Sequence, residues 1–173
     1  MEILFFRHGR THLNHEQRLQ GISDPPLDLE GKNAVIESAK KIPKIYTKIY
    51  TSPLRRAQQT AYIIGDILDI PVCVDERLIE RNLGNYEGLT RDEVISQAHK
   101  IGIDPFSATY RPPKGGESIA DIMPRAKSFL ADLHQRGEST VVIVHGAWMH
   151  AAAVASGSPY QPIDTAEFYT FSE

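Results

Sequence analysis

Two four-residue apolar runs, Ile3-Leu4-Phe5-Phe6 near the start and Val141-Val142-Ile143-Val144 near the end, each lead into a histidine followed by glycine. The first continues as Arg7-His8-Gly9 and the second as His145-Gly146. Short runs without polar alternation predict strands covered on both faces, as in the parallel sheet of an α/β domain. If the two strands are parallel neighbours, both histidines leave the sheet at the same edge. Ligands of open α/β sheets bind outside that carboxyl edge.

The rest of the chain supplies matching elements. Asp28 opens a predicted helix with Val35, Ala39 and Ile42 at helical spacing, and Ile45 to Thr51 reads as a strand. Ser52-Pro53 reads as an N-cap followed by proline at the first helical position, with Ala57, Ala61, Ile64 and Leu68 inward on a helix to about Asp69. Further strands are expected over Pro71 to Val74 and Glu167 to Phe171. Helices are expected over Asp92 to Ala98, Ser118 to Gln135 and Ala147 to Ser156. His99 to Gly116, with Pro105, Pro112 and Pro113, reads as an irregular excursion. Strands alternating with helices predict an α/β domain with a mainly parallel sheet. With 173 residues and no linker or repeat, residues 1–173 are expected to form a single domain.

Composition narrows the function classes. A net charge of −3 gives no basic footprint for nucleic acid, so any cationic site must be local. Cys73 is the only cysteine, which excludes an internal disulfide and fits a cytoplasmic location. The N-terminal apolar run is too short for a signal segment, and no run is long enough to span a bilayer.

The candidate chemistry starts from His8 and His145, with Arg7 beside the first. Arg55 and Arg56 fall in the first turn of the helix after Ser52, where a cation opposes the helix dipole. For Arg56, free N–H groups, a serine and a guanidinium together suggest an anion site; Arg55 reads as a solvated residue. Carboxylate candidates are Asp24, Glu76, Glu80 and Glu87. There is no G-x-x-x-x-G-K-[ST] motif, and Gly116-Glu117-Ser118-Ile119-Ala120 fails the nucleophile-elbow pattern. A metal cluster of His8, His12 and His15 is disfavoured, because Arg7 would repel a cation and Gly9 disfavours the helix needed to align them. No metal and no cofactor is expected.

These residues carry a resemblance. Arg7-His8-Gly9-Arg10-Thr11 with Asn14 resembles the RHG-x-[ST]-x-x-N signature of the histidine phosphatase superfamily, also called phosphoglycerate mutase-like. Gln20-Gly21, Asp24 and Pro26-Leu27 resemble the segment that follows it. Ser52-Pro53-Leu54-Arg55-Arg56-Ala57 with Thr60-Ala61 resembles S-x-L-x-R-A-x-x-T-A. Leu78-Ile79-Glu80 through Gly84 and Tyr86-Glu87-Gly88, then Gly115-Gly116-Glu117-Ser118 and Val144-His145-Gly146, follow in the family order over almost the whole chain.

The resemblance implies a three-layer αβα sandwich with a mainly parallel central sheet. It implies His8 as the nucleophile, Arg7, Arg56 and His145 as ligands of the phosphoryl oxygens, and Glu80 as proton donor. Asn14, Thr11, Gln20, Gly21 and Arg10 are the further substrate-binding candidates. Such chemistry suits the residues: a neutral imidazole is nucleophilic without a metal, and guanidinium groups stabilise charge spread over equatorial oxygens. The implied activity is phosphate release from a small phosphorylated metabolite. A cofactor-dependent phosphoglycerate mutase and a catalytically idle module of this fold are the alternatives. Gln20-Gly21 with Pro26-Leu27 and the short excursion favour the phosphatase. Arg10, Leu13, Val144, Ala147-Trp148-Met149-His150 and Thr165 depart from the usual family residues and leave the substrate open, as is the oligomeric state. Arg10, Tyr110, Arg111 and Lys114 are candidates for the rim of the pocket.

Overall fold

The strands β1 (Glu2–Arg7), β2 (Lys48–Thr51), β3 (Val72–Val74), β4 (Thr140–Val144) and β5 (Phe168–Ser172) form one sheet in the order β3-β2-β4-β1-β5. The structure is a computed structural model and describes residues 1–100 and 102–172. Ile101, within the expected excursion, and Glu173, at the end of the expected single domain, lie outside the described residues. The first four strands run parallel, and β5 closes one edge antiparallel to β1.

Side chains alternate across the sheet, so each strand feeds two cores. Leu4 and Phe6 of β1, Ile49 of β2 and Val141 and Ile143 of β4 face α2 (Leu29–Ala39) and α3 (Arg55–Leu68). There they meet Val35, Ala39, Ala57, Ala61, Ile64 and Leu68. Ile3, Phe5, Tyr50, Val142 and Val144 face the other way, toward α5 (Ile119–Arg136) and α6 (Gly146–Ser156). Ile119, Ile122, Ala126, Phe129 and Leu133 are the buried stripe of α5, as their spacing predicts. The result is the expected three-layer sandwich. Each large apolar side chain buried here contributes about 1.5–3 kcal/mol, so the loops at the carboxyl edge hang from a stable frame.

Several element boundaries follow local chemistry. Asp28 caps α2, accepting from the Gly31 N–H at 2.6 Å. Ser118 and Asp121 form a reciprocal capping box at the start of α5. Among the described residues the two remaining α-helices are α1 (His12–His15), which the sequence pattern did not predict, and α4 (Arg91–His99). The expected cap of α3 needs correction. The helix starts at Arg55, after Leu54, and Ser52 does not cap it. The Arg55 N–H donates instead to the Asp24 carboxylate at 2.6 Å. Pro53 therefore lies before the helix, and the Ser52 hydroxyl, which accepts from the Leu54 N–H at 3.3 Å, keeps its proton to donate to another partner.

Candidate active site

The register of β1 and β4 sets the site. Arg7 lies opposite Val144, so His8 and His145 leave the sheet side by side. The His8 N–H donates to the Val144 carbonyl at 3.1 Å, extending the ladder by one rung. The imidazole rings stand 4.9 Å apart between centroids, tilted by 53°. His8 is 3% exposed and His145 is fully buried. Gly9 permits this packing: a Cβ there would come within 2.7 Å of Val35 and 3.1 Å of Leu27.

His8 is held in one tautomer. Its Nδ1 lies 2.8 Å from the Gly9 carbonyl oxygen, which can only accept, so Nδ1 carries the proton and Nε2 the lone pair. That lone pair faces Arg56, whose Nε–H donates to it at 3.3 Å. Burial, then the Arg56 and Arg7 charges, hold the His8 pKa well below the usual imidazole value, although its bond to Gly9 acts in the opposite direction. His8 is therefore neutral. His145 is likewise held neutral by burial first, then by Arg56 and by His8. Its Nε2 lies 2.8 Å from the Ser52 hydroxyl, and its Nδ1 is buried with no protein partner.

Arg56 enters from the first turn of α3 and is 1% exposed. Its Nη1 donates to the Ser23 carbonyl at 2.7 Å and its Nη2 to the Gly21 carbonyl at 2.8 Å. Burial weakens its hold on its proton, and the nearby carboxylates of Glu80, Asp24 and Glu87 oppose that effect. Thr60, one turn along α3, ties the helix to the histidine loop: its hydroxyl accepts from the Gly9 N–H at 3.0 Å and donates to the Arg56 carbonyl at 2.8 Å. Arg7 anchors to the Ile163 carbonyl through Nη1 at 2.8 Å, while its Nε is buried with no partner.

Glu80 reaches the same place from the far side. Its Oε2 accepts from the Ala147 N–H at 3.2 Å and its Oε1 from the Trp148 N–H at 3.1 Å, both at the N-terminus of α6. The Arg81 N–H adds a third bond at 2.8 Å. The carboxylate is thereby fixed just beyond His145. Arg125 holds its backbone, donating to the Ile79 and Glu80 carbonyls at 3.0 and 3.1 Å, and is itself paired with Glu117 at 2.6 Å.

The remaining candidates divide. Thr11, Asn14 and Gln20 form one cluster, in which Thr11 and Asn14 cap α1 reciprocally and the Thr11 hydroxyl donates to Gln20 Oε1 at 2.9 Å. Gly21, at φ +56°, turns its carbonyl to Arg56. Arg10 does not present a free charge, since Asp28 and Glu30 both bind its guanidinium. Arg111 is likewise bound by Asp121, the Tyr110 hydroxyl pairs with Tyr86 at 2.9 Å, and Lys114 sits exposed on a turn. His12 and His15 are exposed on α1, and the described residues hold no group of three metal-ligating side chains. Ser52, Thr60, Glu87 and Arg125 bear on the site without being singled out for these contacts beforehand. Ser52 and Thr60 do lie in the motif around Arg56, whereas nothing local marks Arg125.

Comparison with known proteins fits this geometry. The model of the histidine phosphatase superfamily (branch 1) matches residues 3–167. Phosphoserine phosphatase 1 of Hydrogenobacter thermophilus is 28% identical over 178 residues, covering 99% of this chain and 81% of the relative. A 2,3-bisphosphoglycerate-dependent phosphoglycerate mutase of Methylobacterium sp. is 29% identical over 180 residues, covering 97% and 86%. Among solved structures, mycobacterial glucosyl-3-phosphoglycerate phosphatase in complex with VO3 superposes with a TM-score of 0.87 at 27% identity, covering 99% of this chain and 90% of that one.

Proposed function

The chain belongs to the histidine phosphatase superfamily, branch 1, and on that premise we propose that it is a metal-independent phosphomonoesterase acting on a small phosphorylated metabolite through a phosphohistidine on His8. The observation that carries this reading is the state of His8: neutral, with Nδ1–H fixed on the Gly9 carbonyl and the Nε2 lone pair turned to Arg56. A nucleophilic imidazole needs that lone pair and no metal.

In the first step the Nε2–P bond forms as the ester P–O bond breaks, and Glu80 gives its proton to the leaving alkoxide. In the second, the Glu80 carboxylate takes a proton from water, whose oxygen attacks phosphorus. The N–P bond breaks and inorganic phosphate leaves. Arg56, Arg7 and His145 stabilise the charge on the equatorial oxygens. Arg7 Nε and His145 Nδ1 suit this role because each is buried without a protein partner. With the Ser52 hydroxyl donating to Nε2 of His145, its Nδ1–H faces a phosphoryl oxygen. Asn14 assists through its amide nitrogen, its Oδ1 being committed to Thr11.

The test is phosphate release from sugar phosphates, phosphoglycerates, nucleotides and aryl phosphates, with and without EDTA. We expect release that EDTA leaves intact. Glu80→Gln should slow alkyl esters by about 10²–10⁴-fold, the usual contribution of a positioned acid, and aryl esters by less. Conversion of 3-phosphoglycerate to 2-phosphoglycerate with a bisphosphoglycerate primer, without phosphate release, would assign the mutase reaction instead. Strong EDTA inhibition would reject the metal-free mechanism.

A further inference from the structure

Between α6 and β5 the chain returns to the site, and Arg7 holds that return. Its Nη1 binds the Ile163 carbonyl, its backbone N–H donates to the Glu167 carbonyl, and its carbonyl accepts from the Ala166 N–H. Tyr160 lies on this segment. Its hydroxyl donates to the Gly146 carbonyl at 3.3 Å, one residue beyond His145. The Tyr160 oxygen and the Arg7 guanidinium carbon both lie within 4.0 Å of the point a Cβ on Gly146 would occupy. The phenol thus stands beside the cradle described above, and Tyr160 as a residue is 36% exposed. Burial raises its pKa, with Arg7 opposing and Glu80 reinforcing the shift, which agrees with a place near both. His150, one of the residues departing from the family run, stacks on the Tyr160 ring at 4.8 Å between centroids and 25° between planes.

Resting on the phosphatase reading, we propose that Tyr160, backed by His150, is a specificity-determining residue that forms a flat wall for an uncharged, planar leaving group. Two rings already stacked offer a preorganised surface next to the ester bond, and a flat leaving group gains packing there without ordering a flexible side chain. The arginines expected at the rim are engaged elsewhere: Arg10 by Asp28 and Glu30, Arg111 by Asp121. Neither is available to bind a second phosphate or a carboxylate on the leaving group.

The experiment compares kcat/KM for 1-naphthyl phosphate and glycerol 1-phosphate in the full chain and its variants. We expect Tyr160→Ala to lower the naphthyl-to-glycerol ratio roughly three- to tenfold, the usual contribution of an aromatic contact. Tyr160→Phe, which keeps the ring, should retain the ratio, and His150→Ala should lower it in the same direction by less. An unchanged ratio in Tyr160→Ala, or an equal loss on both esters, overturns the wall while leaving the phosphatase reading intact. Release from other esters of the panel but from neither of these two overturns the wall alone, and failure of the wild-type chain to release phosphate from any of them overturns the phosphatase reading and the wall with it.

Discussion

Glu87 positions Arg56 through the loop that lies between them. The Glu87 carboxylate accepts from the N–H groups of Ile22 and Ser23, at 2.9 and 3.0 Å, and from the Ser23 hydroxyl at 2.5 Å. The carbonyls of Gly21 and Ser23 in that loop then accept from the Arg56 guanidinium. A carboxylate at the end of a short turn in this way fixes the cation that faces His8. Glu87→Gln weakens charge-assisted bonds that contribute about 1.5–3 kcal/mol together with their neighbours. We expect kcat/KM to fall by about tenfold or more, with the inhibition constant of inorganic phosphate rising in parallel. A variant with lowered thermal stability but an unchanged phosphate inhibition constant would assign Glu87 a structural role alone.

Ser52 fixes His145. Ser52→Ala leaves Nε2 of a fully buried imidazole without its 2.8 Å partner, a loss of about 1–3 kcal/mol. We expect at least a tenfold fall in kcat/KM. The smaller weak bond from the Leu54 N–H, at 3.3 Å, makes a small change in helix stability the only other consequence. An activity within twofold of wild type would remove Ser52 from the site.

Both histidines have pKa values held below the ordinary imidazole value, and this has a sign for stability. Above about pH 6.5 each is neutral in the folded and unfolded chains, so their contribution is fully present. As pH falls below that, the unfolded chain binds protons that the folded chain refuses, and stability is lost down to the folded pKa values. The slope is about 1.4 kcal/mol per pH unit for each histidine. Urea unfolding from pH 7.5 to 5 should show it, and His145→Gln should flatten it. The same depression keeps the His8 lone pair available in mild acid, so titration of His8 should add no break to the kcat/KM profile near pH 6.5 beyond that of the substrate phosphate.

The layers of the fold were legible in the sequence because they rest on period and punctuation. Leu4 and Phe6 against Ile3 and Phe5, the stripe from Ile119 to Leu133, and the cap at Asp28 each carry a local signal. The two similar endings of β1 and β4 raise their parallel pairing only as a condition, and the structure supplies it, setting His8 beside His145. The start of α3 was not legible. Ser52-Pro53 imitates a capped helix start, while the actual partner of the Arg55 N–H is Asp24, 31 residues earlier. Long-range partners of this kind leave no local trace. The same holds for Arg125 under Glu80, and for Tyr160, brought in by a segment whose course depends on Arg7 and His150. Arg10 is the opposite case: local sequence shows a guanidinium beside the signature but not the ion pairs with Asp28 and Glu30 that take up its charge.

The phosphoryl acceptor is the point on which everything else depends. Rapid mixing with a turned-over phosphate ester, quenching in alkali, where phosphohistidine survives, and peptide mapping by mass spectrometry tests it directly. We expect a phosphoryl group on Nε2 of His8, forming and decaying at rates that match turnover, and neither the adduct nor phosphate release in His8→Asn. Turnover with no adduct on His8, or with the phosphoryl group on another residue, contradicts the mechanism.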